Sequence, residues 1–169
     1  INKKNFIAEA LRIREVFNDA WGDNWGPVPP SEEEFRYAAA DLKQAVKPDF
    51  AFIAEYRGKP IGFSLTIPDL NQAIKHTNGR LLPFGIFKLL YYMRKVDGVR
   101  VILMGVRKAF RKRGVDAVFY LENMKRAKAQ GYKWGEMSWV LDNNVMMNRT
   151  AEMLGAKLYK TYRIYEMSV

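Results

Sequence analysis

The sequence predicts a mixed α/β fold, with a central mixed, mostly antiparallel sheet flanked by helices on both faces. Three observations carry that prediction. Segments with helical spacing interleave with short apolar or alternating segments. A tight turn, Arg57-Gly58-Lys59-Pro60, joins two of the short segments into a hairpin. The order that results is helix, helix, hairpin, strand, helix, strand, helix, strand, which suits a sheet covered on both sides. A chain of 169 residues, 49% of them apolar, can bury one real core. We therefore read 1–169 as a single domain. The first residue is Ile1 rather than Met, so the expectation is one domain of a longer chain.

Each element follows from local signals. Residues 6–21 place Phe6, Ala10, Ile13, Phe17 and Ala20 on one helical face. A Gly, Pro and Trp loop follows over 22–30. Ser31 with Glu34 forms a capping box, Glu32 and Glu33 suit a first turn, and the helix so opened runs to about Val46, before Pro48. Residues 50–56 and 61–67 are the hairpin strands. Residues 68–80 read as polar and irregular, with Asn78-Gly79 as a turn. Residues 83–95 have helical spacing, with a loosely packed lid segment as the alternative, and Tyr91, Tyr92 and Met93 are expected in the core or at a subunit contact. An apolar strand spans 99–106, a helix 115–129 closed by Gly131, and a strand 132–141. Asp142-Asn143-Asn144 caps a short helix ending at Leu154-Gly155, and 157–167 reads as a last, tyrosine-rich strand.

Composition excludes several classes. There is no cysteine and one histidine, His76, so neither a disulfide framework nor a metal site is expected. His76 falls in the irregular segment, where it is a further candidate base or an exposed side chain. No apolar stretch is long enough to span a bilayer and no signal peptide is visible, so the expected location is the cytoplasm, with no membrane partner. The net charge of +10 is not evenly spread. Residues 1–84 hold 11 basic and 11 acidic side chains, and residues 85–169 hold 17 and 7. Such a field attracts polyanions or a phosphorylated cofactor.

The basic half contains the most informative segment, a strand leading through Arg111-Lys112-Arg113-Gly114 into a helix. Unpaired N–H groups and the dipole at a helix N-terminus favour an anion, and Gly114 keeps a side chain out of its way. The other reading of these residues is a solvated basic turn.

Two patterns together resemble the Gcn5-related N-acetyltransferase superfamily. Its members carry Arg or Gln, two variable residues, Gly, one variable residue, then Gly or Ala, between the central strand and the main helix. Here that stretch is Arg111-Lys112-Arg113-Gly114-Val115-Asp116. Its members also place an Asn at the start of a short helix ending in Gly-Phe eleven residues on, and here Asn144 precedes Gly155-Ala156 at that spacing. With the element order, the resemblance covers nearly the whole chain. It implies the acyl-CoA N-acyltransferase fold and acetyl transfer from acetyl-CoA to an amine by direct attack. It implies that Arg111, Lys112, Arg113, Gly114, Val115 and Asp116 hold the coenzyme A pyrophosphate. It further implies that Met104, Gly105 and Val106 receive the pantetheine arm and the thioester oxygen, with Asn144 beside them. A well-placed N–H at that oxygen is worth about 3 kcal/mol in the transition state.

The chain departs from the family at two positions. Asp116 stands where Gly or Ala is usual, and a carboxylate there repels phosphate. Ala151 stands where many members carry a Tyr that protonates the departing thiolate. Candidate bases are Glu136 and Glu55, each on a predicted strand, although a surface carboxylate in a salt bridge is the plainer reading. Candidate acceptor-binding residues are Trp21 and Trp25 in the helix-to-helix loop and Asp69 and Asn71 after the hairpin. Each has a structural alternative, a hydrophobic plug for the tryptophans and an organised turn for the polar pair. The acceptor is a small-molecule or peptide amine, with a homodimer or a companion N-terminal domain as further partners. Two other readings remain: a catalytically silent domain of this fold, and a polyanion or nucleic-acid module. The second lacks aromatics interleaved with the cations and any recognition-helix motif.

Overall fold

The computed structural model describes residues 1–22 and 29–167. The chain divides into two compact units, Ile1–Ser138 and Trp139–Val169.

The first unit opens with helix α1 (Phe6–Trp21) and helix α2 (Glu32–Ala45). The predicted capping box is present. The Glu34 N–H donates to Ser31 Oγ at 3.2 Å, and the Ser31 N–H donates to Glu34 Oε2 at 2.8 Å. Strands β1 (Ala51–Tyr56) and β2 (Lys59–Pro68) form the expected hairpin. A helical turn, α3 (Asn71–Ile74), and a 3₁₀ turn (Lys75–Thr77) occupy the segment expected to be irregular. Four residues are too few to show a helical period, which is why the pattern missed them. Asn78 then turns left-handed at φ +50°. Helix α4 (Gly85–Met93), strand β3 (Gly98–Val106), helix α5 (Val115–Ala129) and strand β4 (Trp134–Met137) complete the unit.

The sheet order is β1-β2-β3-β4, with β1–β2 and β2–β3 antiparallel and β3–β4 parallel. This is the mixed, mostly antiparallel sheet that the element order predicts. Alternation along the strands sends side chains to two faces. On one face α1 and α2 bury Phe6, Ala10, Ala39 and Leu65 in one cluster, and Ile13, Val16 and Phe63 in another. The opposite face carries α5, whose Phe119, Tyr120 and Asn123 are buried. Asn123 Nδ2 donates to Ser64 Oγ of β2 at 3.0 Å, pinning the helix to the sheet.

Three expectations need correction. Strand β4 is shorter than 132–141, because its ladder to β3 ends at Val101, where the Ser138 N–H makes its 3.2 Å bond. Of the two places expected for Tyr91 and Met93, the core is excluded: both lie on exposed faces of α4. In the second unit, helix α6 (Val145–Met153) forms as predicted, but 157–167 makes no strand among the described residues. Alternating tyrosines favour an extended chain, yet a strand exists only where a neighbouring edge supplies its ladder.

Candidate functional site

The candidate site begins in the backbone of β3. Its register against β2 slips between Leu65 and Thr66, where Leu65 pairs Leu103 and Thr66 pairs Val101. Ile102 is therefore the extra residue of a bulge. Beyond it, the Arg107 N–H donates to Ile61 O at 2.8 Å. Alternation then points the N–H groups of Gly105 and Leu103 toward β2 and those of Met104 and Val106 to the opposite side. That side is the one on which β4 pairs only with Gly98–Val101. The bulge thus turns Met104 and Val106 toward a sheet edge that β4 leaves at Val101.

β3 runs on through a 3₁₀ turn (Lys108–Phe110) into the N-terminus of α5. Lys112 is left-handed at φ +60° and Gly114 at φ +79°. Gly114 is the N-cap residue, and no side chain caps the helix. The Val118 N–H donates to Gly114 O at 3.1 Å, which leaves Val115, Asp116 and Ala117 with N–H groups that have no acceptor inside the helix. Lys112 and Arg113 are exposed beside them, with the Arg113 guanidinium 5.4 Å from the Phe110 ring centre. This is a concentration of donors and positive charge suited to an anion.

The loop is tied down by α1. Lys108 N–H donates to Asp19 Oδ2 at 2.7 Å, Arg107 Nη2 pairs with Glu15 at 2.7 Å, and Arg111 Nη2 donates to Ala20 O at 3.0 Å. Arg111 is thus engaged at the C-terminal end of α1, where a cation also suits the helix dipole. Asp19 and Glu15 were not expected at the site. They lie about 90 residues away in sequence, and no local pattern links them to the loop.

Asp116 is half-buried in the first turn of α5. One turn on is Tyr120, whose phenol is pushed well above its ordinary range, by burial first and then by the nearby Asp116 carboxylate.

The other predicted residues are spread out. Glu55 and Glu136 stand on β1 and β4, the two edges of the sheet. Glu55 pairs with Arg12 of α1. Glu136 Oε1 accepts from Arg100 Nε at 3.0 Å and Nη2 at 2.7 Å, with both side chains largely buried. Trp21 stacks on Phe17 at 4.8 Å between ring centres and packs against Phe63 and Gly105, the arrangement of a hydrophobic plug. Trp25 lies outside the described residues. Asp69 is buried, with its N–H on Gly98 O at 2.9 Å, and Asn71 is exposed at the start of α3. His76 stacks on Tyr92 at 3.6 Å between ring centres. In the second unit, Asn144 caps α6 by accepting from Met147 N at 3.3 Å.

No protein-family profile matches the chain. A curated relative named bacterial ceramide synthase, from Caulobacter vibrioides, is 39% identical over the whole chain. Protein YghO of Escherichia coli is 41% identical over the same extent. The chain spans about half the length of these relatives, 46% and 45%. Among solved structures, the aminoglycoside N-acetyltransferase AAC(6′)-Iy in complex with CoA matches with a TM-score of 0.60 at 17% identity, over 100% of this chain and 92% of that one. An aminoglycoside acetyltransferase from a soil metagenome, in complex with sisomicin, matches with a TM-score of 0.61 at 8% identity, over 99% and 93%. At these identities the likeness is one of fold.

Proposed function

We propose, from the Gcn5-related N-acetyltransferase fold that this chain adopts, that it transfers an acyl group from an acyl-CoA to an amine. The observation that carries the reading is the continuity of two backbone features: the outward-facing N–H groups at Met104 and Val106, and the uncapped start of α5 eight residues further on. An acyl-CoA supplies an activated thioester at one end and a pyrophosphate at the other. In our reading Lys112, Arg113 and the N–H groups of Val115, Asp116 and Ala117 hold the pyrophosphate. Arg111 holds the loop against α1 so that they can do so. Met104, Gly105 and Val106 receive the pantetheine arm along the strand edge, and an N–H of Met104 or Val106 donates to the thioester oxygen as negative charge grows there.

The acceptor amine must lose a proton as its nitrogen bonds to the acyl carbon and the carbon–sulfur bond breaks. We assign the acceptance of that proton to Glu136, directly or through water. It lies on the strand next to β3, one register step before the ladder ends. Glu55 is the alternative, but β2 separates its strand from β3. A thiolate is a good leaving group, which lets Ala151 stand where a general acid is common.

The acceptor class follows from the relative named a ceramide synthase. A ceramide is a long-chain amino alcohol acylated on nitrogen, so we propose a sphingoid-type amine as acceptor and place the reaction on the cytoplasmic side of the cell. Acetyl-CoA, the donor expected from the family resemblance, and a long-chain acyl-CoA are then distinguished by assay. Purified full-length protein is titrated with CoA by calorimetry, then incubated with a sphingoid base and either acetyl-CoA or palmitoyl-CoA, with the amide and free thiol measured. Micromolar CoA binding and one amide product are expected.

Absence of CoA binding at millimolar concentration overturns the reading. It supports a second one, a catalytically silent domain of this fold, which Asp116 and Ala151 favour. Steeply salt-dependent binding to arbitrary DNA would instead support a polyanion module.

A further inference from the structure

Between Asp69 and Asp97 the chain contains no acidic residue. Residues 70–96 carry Lys75, Arg80, Lys88, Arg94 and Lys95 together with α4, the most apolar of the longer helices among the described residues. That helix, α4, is held to the rest of the unit along one side only: Gly85 is buried, and Leu89 and Tyr92 are half-buried. These three positions fall within about 60° of one another on a helical wheel. Phe87, Leu90 and Tyr91 point the opposite way and are 67%, 53% and 54% exposed. Just before the helix, Leu82 and Phe84 are 81% and 70% exposed. Scattered exposed apolar residues are ordinary, but a contiguous patch of large ones on one element marks an interaction surface.

The charges choose the partner. Arg94 continues the outward stripe one turn past Leu90 and Tyr91, and Lys88 borders it. Lys95 lies over the Tyr91 ring at 4.3 Å. No described ion pair engages Lys75, Arg80, Lys88 or Arg94. A short helix with Phe, Leu and Tyr outward, rimmed by Lys and Arg and free of carboxylates, suits the boundary between lipid headgroups and acyl chains. There the rings enter the apolar zone and the cations reach back to phosphate.

We propose that this face, α4 with the preceding Leu82 and Phe84, docks the protein on an anionic membrane surface. No helix among the described residues is long and apolar enough to cross a membrane. The expectation of no membrane partner rested on that criterion, and docking on a surface does not need a spanning helix. The proposal does not rest on the catalytic reading, and its test needs no activity.

The test is flotation of purified full-length protein with vesicles of phosphatidylcholine alone or with 30% phosphatidylglycerol. We expect binding to the anionic vesicles at least tenfold tighter than to neutral ones, weakened by added salt. The double variant F87S/L90S should lower that binding at least tenfold, and K88Q/R94Q should remove most of the preference for anionic lipid. Both pairs are exposed, and unchanged circular dichroism verifies folding. Equal partition of F87S/L90S and the parent overturns the proposal. So does the absence of binding to anionic vesicles, whether the stripe then proves to join two copies, seen as a dimer in ultracentrifugation that F87S/L90S dissolves, or is covered by another part of the full-length protein.

Discussion

The Trp21 ring edge occupies the space that a Cβ on Gly105 would need, with the Ala20 Cβ 3.0 Å from the same point. The last turn of α1 is therefore seated on the β3 stretch that carries Met104 and Val106. Arg111 reaches back to Ala20 O beside it, so the same turn holds both the strand and the basic loop.

This seating predicts that Gly105→Ala is costly. The added methyl collides with a ring that is itself stacked on Phe17, so either the strand or the helix must move. A loss of about 1–3 kcal/mol is expected in urea unfolding. Adding Trp21→Ala should make the two effects clearly less than additive, since the second change removes the collision. Full additivity would show that the two residues are energetically independent.

Gly114→Ala should act by a different route. Nothing lies within 4 Å of the added Cβ, so the cost is only that of a left-handed backbone, about 1–2 kcal/mol. In the proposed function it should also weaken CoA binding by shifting the first N–H groups of α5. Calorimetry at a temperature where the variant is fully folded separates the two effects.

Asp116→Ala should tighten CoA binding several-fold at low salt, and the gain should shrink as salt rises. The substitution removes a carboxylate from the end of a helix proposed to hold phosphates. Unchanged or weaker binding would mean that the carboxylate, set one turn before Tyr120, does not face the coenzyme.

Glu136→Gln leaves the Arg100 guanidinium largely buried without its charge partner, at a cost of about 2–3 kcal/mol. If Glu136 also takes the amine proton, kcat should fall and the acidic limb of its pH profile should disappear. A purely structural role would lower stability and leave that profile in place.

Acid should weaken the start of α2. Hydrogen bonds from the Ser31 backbone, then from its side chain, hold the Glu34 carboxyl below its ordinary value of 4.5. A folded-state pKa below the unfolded one stabilises the protein above the unfolded value and is lost as pH falls through the folded one. The Glu34→Gln variant, which lacks the charge these bonds favour, should therefore be less stable than the parent at neutral pH and approach it as pH falls below the ordinary value of 4.5. Urea unfolding at pH 7 and pH 3.5 measures the difference.

The sequence by itself determined what is local. The capping box, the hairpin turn, the bounds of α5 and the glycine at its start are written in neighbouring residues, because caps, turns and helical periods are short-range events. Only the tertiary structure decided the rest. It placed the extra residue of the β3 bulge at Ile102, and with it the side to which Met104 and Val106 turn, because register depends on a partner strand. It paired Glu136 with Arg100, and it seated Arg111 against α1 and Trp21 against Gly105, contacts that no local pattern announces. It also left Phe87, Leu90 and Tyr91 on the open side of α4, where their spacing alone showed only a helix. Periodicity names an apolar face, but which faces find a neighbour is settled by packing across long sequence separations.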